Sequence, residues 1–221
     1  MEKNTAKKLG WNYFWLAMTA FGGLGLEILW AFLIEPMIYG APMQEWTTVQ
    51  NILHWSITCV TWGLVAFWVG HDAKKSCGFS LMEKGEPMKL WQWAAALGCV
   101  VVAVGINYLD WGGFKVIKEF QNKTLPVFVF QYIYYAFETV LFMLIVVFGQ
   151  KLCETVFQKR NIPYGGIICG LTWGLAHIFT KGSLVTGLNG LVYGFLFGVA
   201  YLVVGRDIKK TWLLLFLMFA F

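Results

Sequence analysis

Apolar residues in this chain fall into long unbroken runs, and polar residues gather between them. The runs cover residues 11–34, 49–69, 90–109 and 127–148, then two segments within 162–204 that turn at 180–183. A last run starts near Thr211 and is still apolar at Phe221. A helix needs roughly 20 apolar residues to cross about 30 Å of hydrocarbon. The pattern therefore predicts an all-α polytopic membrane protein with about seven transmembrane helices. Pro126 stands just ahead of the fourth run, where a proline suits the opening turn of a helix. The fifth and sixth runs carry small residues every fourth position: Gly166, Gly170 and Gly174 on one, Thr186, Gly190, Gly194 and Gly198 on the other. In lipid such stripes let two backbones approach closely, and packing takes the place of the hydrophobic drive. The connection 110–125 differs from the other loops. Phe114, Ile117 and Phe120 can share one face of a short helix, with Lys115, Lys118 and Glu119 elsewhere, which predicts an interfacial helix. We read 1–221 as one transmembrane domain: helices and the interfacial helix over 1–125, and a helical core over 126–221.

Composition agrees with the pattern. The chain is 58% apolar and 13% charged, with a mean hydropathy of +0.62. Charge adds orientation. Of the 17 Lys and Arg residues, only Lys115, Lys118, Lys123 and Lys181 fall on one side of the seven-pass arrangement; the other thirteen, Lys84 among them, fall on the side of the amino end. Positive charge collects on the cytoplasmic side, so a cytoplasmic amino terminus is expected. The net charge of +5 is thereby accounted for without nucleic acid as a partner; the expected partners are the lipid bilayer and a membrane peptide or protein. Most Trp and Tyr residues cluster near run ends, as aromatic belts do. The five cysteines are scattered, with no CxxC pair, and read as small core residues.

Polar residues at membrane depth carry the candidate chemistry, because they are costly there and face a partner or a wet cavity. They are Glu27 in the first run, Glu35 at its end, His54 in the second, Asn107 and Asp110 closing the third, Glu138 in the fourth, His177 in the fifth and Asn189 in the sixth. A glutamate can act as general base on a water, and a histidine can position that water or stabilise an oxyanion. Each residue also has a structural reading, as a satisfied core group or as glue between helices. With His54 as a third ligand the same groups offer a divalent metal some donors, but no HExxH motif is present and no cofactor is expected. GxSxG is absent too.

Residues 132–211 resemble the CPBP family, the CAAX-protease and bacteriocin-processing intramembrane proteins, also called the Abi family. That family shows a Glu-Glu-x-x-x-Arg motif, then Phe-x-x-x-His on the next helix, then His-x-x-Asn/Asp on a late helix. Here Trp173-Gly174-Leu175-Ala176-His177 is similar to the second motif, with Trp for Phe, and Phe137-Glu138-Thr139 falls where the first belongs. The first motif keeps one of its two glutamates, and the third should fall near 213–221, which holds neither His nor Asn. The resemblance implies a bacterial plasma-membrane location and a glutamate-activated water attacking a peptide bond. Glu138 and His177 are then the catalytic candidates, and Trp173, Asn189, Tyr193, His54 and Glu27 are substrate-binding or cavity-lining candidates. Three functions stay open: an intramembrane endopeptidase, an inactive scaffold of the same fold that binds a peptide or protein partner in immunity or signalling, and a small proton-coupled transporter.

Overall fold

Helices account for all the regular structure in a computed structural model that describes residues 3–83, 85 and 87–221. Lys84, counted above with the inner charges, lies outside the described residues. Helix α1 (Lys3–Leu29) continues through a π turn (Trp30–Ile34) into α2 (Glu35–Tyr39). A 3-10 turn (Met43–Glu45) leads to α3 (Thr48–Cys77), α4 (Leu90–Trp111), the short α5 (Lys115–Asn122) and α6 (Leu125–Phe157). Helix α7 (Tyr164–Cys169) runs through a second π turn (Gly170–Gly174) into α8 (Leu175–Lys181), followed by α9 (Leu184–Val203) and α10 (Ile208–Ala220).

Among the described residues five helical runs are long and apolar enough to cross a membrane: the α1–α2 run, α3, α4, α6 and α9. The chain is an all-α integral membrane protein. Two of the seven expected runs fall short of that measure, each for a visible reason. The α7–α8 run is diluted by glycines and by His177 and Lys181. Helix α10 has 13 residues, about 20 Å at 1.5 Å per residue, against about 30 Å of hydrocarbon. Other helices outrun their apolar segments. Helices α3 and α6 have 30 and 33 residues, about 45–50 Å, so they project past the apolar zone. A capping box between Thr47 and Gln50 opens α3, and Gly78 at φ 65° ends it.

Helix α6 is the central mast, packed against α1, α3, α7 and α10. Every side chain from Leu141 to Phe148 is buried. Residues apolar all round a helix suit either lipid or a protein core; here they meet neighbours on every side, and dispersion supplies the contact energy. The hairpin packs as its small residues require. A β-carbon built on Gly174 would lie 2.5 Å from the Gly190 carbonyl, and one on Gly194 would lie 2.3 Å from the Gly170 nitrogen. Gly166 meets Gly194 and Gly198 in the same way. Residues eight apart on a regular helix point about 80° apart, whereas one extra residue in a π turn brings them back to about 20°. The turn at Gly170–Gly174 thus keeps Gly166 and Gly174 both facing α9.

Helix α5 forms where expected. Phe114, Ile117 and Phe120 leave their face uncovered by protein, while Lys115 and Glu119 are buried and Lys118 is exposed. Lys115 and Glu119 look into the protein because polar partners wait there.

Candidate functional site

A cavity of about 110 Å³ lies between α4, α5, the second π turn, α8, α9 and α10. Four of the expected residues line it: Trp173, His177, Asn189 and Tyr193. Asn107, Asp110, Lys115, Thr186 and Phe219 complete most of the wall. The space holds several waters or one small polar group. Local structure sets the donors. His177 Nδ1 lies 2.8 Å from the Trp173 carbonyl oxygen one turn back. A carbonyl only accepts, so Nδ1 carries the hydrogen and the neutral ring keeps Nε2 as an acceptor. The Tyr193 hydroxyl is spent on the Ala103 carbonyl, 2.6 Å away. Among the described residues the Asn189 amide makes no side-chain hydrogen bond, so it can both donate to and accept from an occupant.

Glu138 is not in that wall. Its Oε1 accepts from the Trp173 indole nitrogen at 3.0 Å, and its side chain is buried. Trp173 therefore separates the two catalytic candidates: it donates to Glu138 through its side chain and accepts from His177 through its backbone. Phe142, Phe197 and Phe219 surround the indole. Helix α10, which the family resemblance expects to bring the third motif, here brings Phe219 against Trp173.

Lys115 is a cavity residue that the sequence pattern concealed. Its ammonium donates to the Phe219 carbonyl at 2.9 Å and sits over the rings of Tyr135 and Phe219 at 4.4 and 4.7 Å. With Asn107 on the Met218 carbonyl and Tyr132 on the Ala220 carbonyl, three other helices satisfy the last turn of α10. A cation there also suits the negative end of the helix dipole. Burial pushes the Lys115 ammonium below its ordinary range, and the charges of Glu119 and Glu138 partly restore it. Behind it Glu119 accepts from Tyr135 at 2.8 Å, Gln131 at 2.9 Å and Tyr132 at 3.1 Å. The available signal was the run of polar groups near the start of α6, Gln131, Tyr132 and Tyr135.

The other two expected site residues, Glu27 and His54, belong to a separate centre. His54 Nδ1 lies 2.5 Å from Glu35 Oε2, and its Nε2 lies 3.5 Å from Glu27 Oε1. Tyr134 of α6 donates to Glu27 at 2.7 Å. Among the described residues no group of three or more His, Cys, Asp or Glu side chains is arranged to hold a metal ion. No family model, curated protein or solved structure matches the chain.

Proposed function

We propose that this chain is a CPBP-like intramembrane protein that works as a scaffold, holding the polar end of a membrane peptide or protein partner in the His177 cavity. What carries the reading is the position of Trp173. Its indole donates to one oxygen of Glu138, and Glu138 is absent from the wall of the cavity that would admit substrate. Phe219 stands beside it in place of a second histidine or an asparagine. The remaining polar groups of the wall supply recognition: Asn189 offers both halves of an amide, Lys115 a cation, Asp110 a carboxylate, and His177 an acceptor nitrogen. The proposed setting is a bacterial plasma membrane with a cytoplasmic amino end and seven passes, α7–α8 and α10 included. The Lys and Arg asymmetry supports that orientation.

The full-length protein in lipid nanodiscs is incubated with a pool of short synthetic peptides bearing free carboxyl ends. Mass spectrometry then reads both bound peptide and new termini. Intact peptides should be retained, and Thr186→Phe, which fills the cavity, should release them. New termini that disappear in Glu138→Gln would establish the endopeptidase instead.

A further inference from the structure

The polar centre formed by α1, α2 and α3 takes no part in that reading. Glu27 and Glu35 lie eight residues apart on one continuous helical run, which would set their side chains about 80° apart on regular α-helix. The π turn at Trp30–Ile34 lies between them, and the Glu35 amide bonds back five residues to the Trp30 carbonyl. The added residue returns the two carboxylates to within about 20° of each other, so both face α3. There they meet His54, which has no exposed surface. Nδ1 is committed to Glu35 at 2.5 Å. Among the described residues Nε2 is buried without a hydrogen-bond partner, as is the hydroxyl of Thr58 one turn further along the same face of α3. Orphaned buried polar atoms cost free energy, and one that faces a carboxylate at 3.5 Å, as Nε2 faces Glu27, marks a place where something binds.

We propose that Glu35, His54 and Glu27 form a proton-loading site in which Nε2 of His54 takes up and releases one proton by way of Glu27. Two states follow from the geometry. Unloaded, Nδ1–H donates to Glu35, and the Nε2 lone pair faces the Glu27 carboxylate. Loaded, Nε2–H donates toward Glu27, the ring is an imidazolium between two carboxylates, and the net charge of the cluster rises by one. Glu27 is the gate because its side chain is 29% exposed, whereas that of Glu35 is 1% exposed. The groups facing the imidazole from neighbouring elements are few. They are Glu27 of α1, backed by Tyr134 of α6, and Glu35 of α2, backed by Tyr39 at 3.4 Å. Trp46, after the 3-10 turn, covers the ring with its centroid 5.3 Å away. Among the described residues no Lys or Arg bridges either carboxylate.

Three histidines make the test direct. The full-length protein is labelled with ¹⁵N-histidine in nanodiscs, and the His54 ring signals are assigned by their loss in His54→Gln. His54 should pass from one ring proton to two as pH falls between about 8 and 5. In Glu27→Gln the ratio of doubly to singly protonated His54 at fixed pH should drop about tenfold. A His54 that keeps one protonation state throughout, or a ratio unchanged by Glu27→Gln, would overturn the proposal. If His54→Gln does not fold, the signals of His71 and His177 are assigned through their own variants, and the Glu27→Gln ratio decides alone.

Discussion

The protein holds two polar centres built with the same local device and opposite in character. Each lies on a helical run widened by one π turn, Trp30–Ile34 in one and Gly170–Gly174 in the other. In the first, the turn gathers two carboxylates onto one imidazole, and the centre closes on itself through charge. In the second, the turn keeps glycines against α9, and two backbones meet so closely that the polar side chains are left around a hollow. A π turn does not choose a chemistry; it chooses which residues share a face. Closure by charge leaves a group that can change only by gaining or losing a proton. Closure by backbone contact leaves a cavity that can change occupant.

The largest expected effect breaks the second centre. In Gly194→Leu the new side chain meets backbone at 2.3–2.4 Å, where no rotamer can relieve it. A loss of at least about 3 kcal/mol is expected, read as a collapse of the thermal melt. Gly98→Leu is the control: nothing lies within 4 Å of its added β-carbon, and the melt should stay near wild type. Equal losses in the two variants would mean that the stripe is not the contact.

Next comes the charge contrast. His54→Leu leaves the buried Glu35 carboxyl without its Nδ1–H donor, and an unsatisfied buried group of that kind costs about 3 kcal/mol. His177→Leu removes one hydrogen bond to a carbonyl beside a cavity, about 1 kcal/mol. Denaturation of the two variants should therefore separate clearly, with His54→Leu the weaker protein. The reverse order would place the ionic centre at His177.

How much of this was legible in the sequence divides along the same line. The apolar runs announced the helices, and the glycine repeat announced the contact between the α7–α8 run and α9. His177, Trp173, Asn189 and Tyr193 line one cavity because they lie on the two helices of one hairpin. Glu27 and His54 were grouped with them only because they are polar at depth, and depth alone does not give rotational register. Periodicity counts 100° per residue, so it cannot foresee a π turn that subtracts one residue; that turn is why Glu35 is as deeply engaged as His54. Lys115 escaped for a related reason. The amphipathic pattern gave an interfacial helix but not the partners of its charges: polar groups of α6 engage Glu119, and a carbonyl of α10 engages Lys115.

Lys115→Met keeps the stem of the side chain and removes its charge. The Phe219 carbonyl loses its donor, at a cost of about 1 kcal/mol. The prediction is local: amide exchange should quicken in the last turn of α10 while the hairpin stays protected. Loosening of the hairpin as well would show that the cavity, not only the cap, depends on the ammonium.

The smallest effect calibrates both centres against a charge outside the spans. Asp207 begins α10, accepts from the Lys210 amide at 3.0 Å and reaches the Gly85 amide at 3.3 Å. Burial alone would raise its carboxyl, but the Lys210 and Gly85 amides and the Lys210 ammonium outweigh burial and hold it below the usual range. A carboxyl lowered in the folded state adds stability above its unfolded value, near 3.9, and loses it as pH falls through the folded value. Asp207→Asn keeps a good cap and deletes only the charge. The variant should melt slightly below wild type at neutral pH, by about 0.5 kcal/mol, and the gap should close as the medium is acidified below about pH 4. High salt should shrink it too, since exposed charges are screened. His54→Leu should resist salt, because its partner Glu35 is out of reach of counterions. A gap at Asp207 that ignored both acid and salt would mean that its amide contacts, not its charge, anchor the start of α10.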